Sequence, residues 1–123
     1  MGTKSKKGKT FELHPRWRIG TGKKIALGPG KVELLEFIAE TGSIGKAAKK
    51  MGMSYIRAWS LIKTMNECFH SPVLVTERGG TARGGATLTD FGTNVLKLYR
   101  QLESDSLKAT EGSWHSLQKL LRD

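Results

Sequence analysis

The spacing of apolar residues predicts three consecutive helices in the first half of the chain. The first begins at the GPGK stretch of residues 28–31 and ends at Gly42, where a left-handed C-terminal cap is expected. Ser43 and Ser54 fit the N-cap positions of the second and third helices, and Gly52 ends the second. Because only a few residues separate the last two helices, the pattern predicts a helix-turn-helix.

Two β-hairpins are predicted, one before and one after these helices. Apolar and polar residues alternate over residues 11–19, which predicts a half-buried strand, and Pro15 suits an edge position within it. A turn at residues 20–23 leads to a second short strand. Residues 73–89 form the other predicted hairpin, in which two β-prone pieces flank a glycine-rich loop.

The last third of the chain predicts a long helix followed by a shorter one. Thr89 fits the N-cap of the long helix, whose pattern fades at residues 105–106, and Ser113 fits the N-cap of the last helix after Gly112. Apolar residues of the long helix recur at steps of three and four, a narrow seam typical of paired helices. The predicted dimer interface consists of Phe91, Val95, Leu98 and Leu102.

These elements predict a mainly α-helical α+β fold. Three helices followed by a hairpin form a winged helix-turn-helix, preceded here by an N-terminal β-hairpin and followed by a long C-terminal dimerisation helix. A chain of 123 residues is long enough for one such core.

The charge balance indicates a polyanionic partner. The chain has 21 Lys and Arg against 11 Asp and Glu, a formal net charge of +10, so its electrostatic field favours nucleic acid. No apolar run is long enough to span a membrane, and we expect a cytoplasmic protein that lies in the nucleoid and has no membrane partner.

No enzyme, cofactor or metal site is predicted. The single cysteine and the scattered histidines form no metal-binding or nucleophilic pattern. The GPGK and GGTARGG stretches lack the spacing of a phosphate-binding P-loop.

The third helix is predicted to be a DNA recognition helix. Arg57 can donate two hydrogen bonds to a guanine edge, and Ser60 and Thr64 can donate to or accept from a base. Ser54 and Tyr55 at its N-terminal end can hold phosphate. A plain solvated helix face is the alternative. The predicted recognition residues are Ser54, Tyr55, Arg57, Ser60, Lys63 and Thr64.

Two neighbouring segments are predicted to contact the DNA backbone. On the second helix, lysines outside the apolar stripe would lie over phosphates, although lysines on a solvated face are the simpler interpretation. The glycine-rich hairpin tip is either a wing that approaches phosphates or the minor groove, or only a flexible turn. The backbone set is Ser43, Lys46, Lys49 and Lys50, and the wing set is Arg78, Gly79, Gly80, Arg83, Gly84 and Gly85.

Several stretches closely resemble the N-terminal DNA-binding domain of ModE-type molybdate-responsive regulators. They are TGSIGKAAKKMGMSY at residues 41–55, AW at 58–59 and GGATLT at 84–89. The likeness covers residues 11–99, and the ERGG and LTDFG stretches are also similar to the related LysR-type winged helix.

The resemblance implies a homodimer joined through the terminal helices, a recognition helix carrying Ser54, Tyr55, Arg57 and Ser60, and a wing at residues 79–85. Only about two dozen residues follow Tyr99, whereas the family continues into a molybdate-binding domain. No oxyanion site is carried over, and molybdate binding is not part of the prediction.

The predicted function is a sequence-specific regulator of transcription that binds double-stranded DNA as a homodimer on an inverted repeat. A weakly specific, chromatin-like protein that coats DNA is the alternative, and a protein-interaction adaptor would leave the charge of +10 unexplained. The predicted organisation is a basic disordered tail at residues 1–10, a DNA-binding domain at 11–89 and dimerisation helices at 90–123.

Overall fold

The computed structural model describes residues 10–77 and 85–122. It confirms the predicted mainly α-helical α+β fold with two antiparallel hairpins. All of the predicted tail except Thr10 lies outside the described residues. The elements are β1 (Ile19–Thr21), β2 (Lys24–Leu27), α1 (Pro29–Thr41), α2 (Ile44–Lys50), α3 (Tyr55–Cys68), β3 (Leu74–Thr76), β4 (Ala86–Leu88), α4 (Asp90–Ala109) and α5 (Glu111–Gln118).

The predicted helix caps of the first four helices are confirmed. Gly42 adopts a left-handed conformation with φ of 70°, and its N–H donates to the carbonyl oxygen of Ile38. The hydroxyl oxygens of Ser43, Ser54 and Thr89 each accept a hydrogen bond from a backbone N–H in the first turn of the following helix. These local contacts end one helix and begin the next at the predicted positions.

The first strand is shorter than the alternating pattern predicts. Only Ile19–Thr21 pairs with β2, and the prediction of a half-buried strand is wrong for residues 11–18. This segment is bound to α4 instead: the indole N–H of Trp17 donates to the hydroxyl of Ser106, and the hydroxyl of Tyr99 donates to the carbonyl oxygen of Trp17. Pro15, which has no N–H, cannot donate a hydrogen bond to a strand ladder.

The second hairpin is fixed at its base. Leu74 is paired with Leu88 and Thr76 with Ala86. The N–H of Ala86 donates to the carbonyl oxygen of Gly42, and Ser43 and Gly85 form an isolated bridge. The base of the wing is therefore attached to the turn between α1 and α2.

One apolar core connects all of these elements except β1 and α5. Helices α1, α2 and α3 contribute most of its side chains, and Tyr99 of α4 is only 2% exposed in it. Burying each large aliphatic side chain contributes about 1.5–3 kcal/mol, so this core holds the three helices in fixed relative positions. Its buried residues are Leu27, Val32, Leu34, Leu35, Ile38, Ile44, Ala47, Ala48, Ala58, Ile62, Met65, Val73, Leu74, Ala86 and Tyr99.

The C-terminal helices differ from the prediction in their bounds. Helix α4 continues past residues 105–106 to Ala109, because side-chain pairs such as Gln101 with Asp105 support its exposed face. The predicted N-cap at Ser113 is wrong: α5 begins after Thr110, whose carbonyl oxygen accepts from the N–H of Trp114.

Candidate nucleic-acid interface

Helix α3 turns one face into the core and the opposite face outward. Ala58, Ile62 and Met65 are completely buried. In the tight turn before α3, Gly52 has φ of 69°, and the N–H of Met53 donates to the carbonyl oxygen of Ala48. This turn and the buried stripe fix the position of α3 across α2.

Four of the six predicted recognition residues lie within α3 and have exposed side chains. The other two, Ser54 and Thr64, have hydroxyls that form hydrogen bonds with backbone groups of α3. Thr64 is half-buried and donates its hydroxyl hydrogen to the carbonyl oxygen of Ser60, 3.1 Å away. The hydroxyl oxygen of Ser54 accepts from the N–H of Arg57. The exposed four are Tyr55, Arg57, Ser60 and Lys63.

The capping serines of α2 and α3 keep one hydrogen for another partner. The oxygens of Ser43 and Ser54 act as acceptors in the caps, each at 3.1 Å from its donor nitrogen. A hydroxyl that accepts one hydrogen bond can still donate its hydrogen, for example to a phosphate oxygen. The structure thus gives both serines a cap role that is compatible with a phosphate contact.

The three lysines of α2 are exposed but not equivalent. The ammonium of Lys50 lies 2.7 Å from a carboxylate oxygen of Glu40 and 5.4 Å from the centre of the Phe37 ring. In the part of the chain that the structure describes, Lys46 and Lys49 form no ion pair. Their full charges therefore remain available to a polyanion.

The predicted wing is described only at its base. Gly85 is half-buried and is held by its bridge to Ser43 and by the hydrogen bond from the N–H of Glu77 to its carbonyl oxygen. The other predicted wing residues, Arg78, Gly79, Gly80, Arg83 and Gly84, lie outside the described residues.

Two exposed apolar side chains on α3 were not among the predicted site residues. Ile56 is 79% exposed and Trp59 is 41% exposed, and both line an open groove of about 590 Å³ together with Ser60 and Lys63. The sequence could have indicated them, because both are large apolar residues that lie outside the buried stripe of α3.

The N-terminal hairpin lies beside α3. An ion pair joins the ammonium of Lys24 to the carboxylate of Glu67 at 3.0 Å. This hydrogen bond raises the pKa of Lys24 and lowers the pKa of Glu67. At the base of the second hairpin, the side chain of Asn66 accepts from the N–H of Val73 at 2.8 Å. Both hairpins therefore border the same helix.

The predicted dimer-interface residues fall into two groups. Phe91 and Val95 pack against the protein's own core, and the Phe91 ring lies edge-on to Phe69 with 6.0 Å between their centres. Leu98 and Leu102 are 59% and 40% exposed. Only the second pair offers apolar surface to another molecule.

The described residues, 10–77 and 85–122, contain no candidate metal site and no helix that could span a membrane. Within them, no group of three or more His, Cys, Asp or Glu side chains is arranged to hold a metal ion. None of the helices there has both the length and the apolar character that crossing a membrane requires.

Comparison with known proteins identifies the family. Residues 30–93, just over half of the chain, match the family of bacterial regulatory helix-turn-helix proteins known as the lysR family. The chain is 38% identical over 96 residues to "Molybdenum transport protein ModE" of Azotobacter vinelandii, a match that covers 78% of this chain and 36% of the relative.

Other curated relatives agree. The chain is 37% identical over 86 residues to "DNA-binding transcriptional dual regulator ModE" of Escherichia coli K12, covering 70% of this chain and 33% of the relative. It is 39% identical over 82 residues to "Molybdenum-pterin-binding protein MopB" of Rhodobacter capsulatus, covering 67% of this chain and 30% of the relative. The chain thus spans about a third of the length of these relatives, and its predicted resemblance to ModE-type proteins is confirmed. With its family match from the start of α1 to the first turn of α4, the chain belongs to the lysR family of bacterial regulatory helix-turn-helix proteins.

Proposed function

We propose that this protein regulates transcription by binding double-stranded DNA in a sequence-specific manner. The observation that carries the proposal is the outward face of α3, where Arg57, Ser60 and Lys63 are exposed on a helix fixed by its buried stripe. A helix fits the major groove, which is about 12 Å wide and presents a distinct pattern for each base pair. The family match supports this use of α3.

The charge distribution supports attraction to DNA before any base is contacted. The net charge of +10 favours a polyanion at long range. Near α3, Lys46 and Lys49 are exposed on the preceding helix, where a phosphate backbone would pass. Such contacts supply affinity and register, whereas base contacts from α3 supply the choice of sequence.

The proposal includes a homodimer that binds an inverted repeat. Leu98 and Leu102 on α4 expose apolar surface that a second copy would cover. Two recognition helices related by a two-fold axis contact half-sites about 34 Å apart, one turn of the duplex. This protein would then act in the cytoplasm on the nucleoid.

Replacing Arg57 with Ala is expected to weaken binding to the cognate site by about 1–3 kcal/mol, the worth of one bidentate contact to guanine. The check is a binding titration on the cognate duplex and on duplexes substituted at single base pairs. The loss should vanish when the contacted guanine is replaced. An equal loss on every sequence would contradict base recognition by Arg57.

Selection of bound fragments from random genomic DNA at about 150 mM salt tests the proposed function, because counterion-driven binding is weakened there. Enrichment of a short inverted repeat is expected. Recovery of fragments without a common sequence would instead support a chromatin-like protein that coats DNA, in which the α3 face contacts phosphates only. Recovery of no DNA would reject both functions.

A further inference from the structure

A cleft between the N-terminal hairpin, the start of α1 and the side of α3 is lined by positive charges. Its open cavity has a volume of about 300 Å³. No acidic residue lines it, and its other walls are apolar side chains and glycines. The four cationic lining residues are Arg16, Arg18, Lys31 and Arg57.

In the described part of the chain, no carboxylate neutralises the positive charges of these four residues. Within the described ranges, none of the four forms an ion pair with a carboxylate. Lys31 is half-buried and donates to the carbonyl oxygen of Ile25, and its burial lowers its pKa. Like charges around one cavity repel each other, so an anion in the cavity would relieve a real electrostatic cost.

The backbone adds to the positive potential of the cleft. Helix α1 begins here, its N-cap Gly28 provides no capping side chain, and its first turn contains no acidic residue. The positive end of the helix dipole therefore adds to the side-chain charges without a local counter-charge.

We propose that this cleft binds a phosphodiester group of the DNA backbone, beside the place where α3 enters the major groove. The inference rests on the proposed function and extends the DNA contact to Arg16 and Arg18, in the segment that leads into the N-terminal hairpin. Arginine guanidinium groups match phosphate geometry with two parallel hydrogen bonds, which favours phosphate over other anions.

The position of the cleft identifies duplex DNA as the source of that phosphate. Arg57 belongs both to the exposed side of α3 and to the cleft wall, so DNA lying on α3 brings a phosphate strand to the cleft. A helix in the major groove has one phosphate strand on each side. The base of the second hairpin borders one flank of α3, where Asn66 accepts from the N–H of Val73. The cleft borders the other flank through Arg57, which lies about 180° around the helix from Asn66.

The test compares the variant Arg16→Gln/Arg18→Gln with the wild-type protein on a selected genomic duplex and on a scrambled duplex of the same length. Both side chains are exposed, so the fold should persist, and a thermal melt confirms it. Lys97→Gln/Lys108→Gln is the matched control: it removes the same charge from exposed positions on α4. Arg57 is left in place because it is assigned to base recognition.

Binding of the Arg16→Gln/Arg18→Gln variant to both duplexes is expected to be about eightfold weaker per protomer at 0.1 M salt, as one lost phosphate contact removes about 0.9 from the salt slope. The control variant should keep the wild-type slope. A duplex with a neutral methylphosphonate at the contacted phosphate should weaken wild-type binding to the same extent and leave the cleft variant unaffected.

Three outcomes would overturn the inference while leaving the proposed function intact. In the first, the cleft variant keeps wild-type affinity and slope. In the second, it weakens binding to the selected sequence alone, which indicates base recognition. In the third, isothermal titration with inorganic phosphate shows binding that the variant abolishes while its DNA affinity is unchanged, which makes the cleft a free-oxyanion site. If the wild-type protein binds neither duplex, the inference and the proposed function both fail.

Discussion

Replacing Gly92 with Ala is expected to lower the free energy of unfolding by about 3 kcal/mol, the upper end of the usual cost of overpacking. A Cβ at this position would lie 2.0 Å from the carbonyl oxygen and 2.9 Å from the carbonyl carbon of Val73. Both are backbone atoms, so no side-chain rotation can relieve the clash. Denaturant unfolding followed by helical circular dichroism measures the effect.

Gly112→Ala is the matched control, because Gly112 also lies in a helix and a Cβ there would meet no atom within 4 Å. That substitution should not lower stability and should raise it by less than about 0.5–1 kcal/mol, the difference between Ala and Gly in a helix interior, because Gly112 lies in the first turn of α5. A Gly92→Ala variant as stable as the wild-type protein would contradict the close seating of α4 on Val73.

The contact at Gly92 also affects the proposed interface. Thr89 donates its hydroxyl hydrogen to the carbonyl oxygen of Pro72 and its N–H to that of Val73, so the start of α4 is bonded to the segment that leads into β3. Displacing α4 would shift β3 and with it the base of the wing. We therefore expect Gly92→Ala to weaken DNA binding as well, although Gly92 is buried away from the α3 face.

Local sequence signals predicted the parts of the fold that depend on local contacts. Ser43, Ser54 and Thr89 each cap a helix through an N–H three residues further along, and Gly42 supplies the positive φ. Spacing of apolar residues likewise identified the buried stripe of α3. In each case the physical cause lies within one or two turns of the residue, where a single sequence shows it.

The features that the sequence did not predict depend on contacts between residues far apart in the chain. The alternation around Trp17 predicted a strand, but a hydrogen bond to Ser106, 89 residues away, holds this segment against α4. No sequence pattern marked Gly92, and only the structure shows the backbone of Val73 against it. The cationic cleft joins the segment before β1 with parts of β2, α1 and α3, so neither its charge nor its shape appears in any one stretch.

Leu98→Asp is expected to convert the proposed homodimer into monomers. Leu98 is 59% exposed on α4, and a covering second copy would bury it, whereas an aspartate there would place an unpaired charge in the seam. Leaving a buried charge uncompensated costs about 3–5 kcal/mol, which raises the dimer dissociation constant at least a hundredfold. Light scattering at micromolar protein concentration measures the change in mass.

The same variant should bind an inverted repeat about 10²–10⁴-fold more weakly, because the two DNA-binding domains are no longer joined and the second half-site is not bound intramolecularly. Binding to a single half-site should change little. Ser104→Asp is the control: it adds the same charge to an exposed position of α4, about 120° around the helix from Leu98, and should leave both mass and affinity unchanged. A Leu98→Asp protein that stays dimeric would move the interface to other apolar surface, for which the alternative is Leu117 on α5 and Leu120 just after it, 54% and 81% exposed.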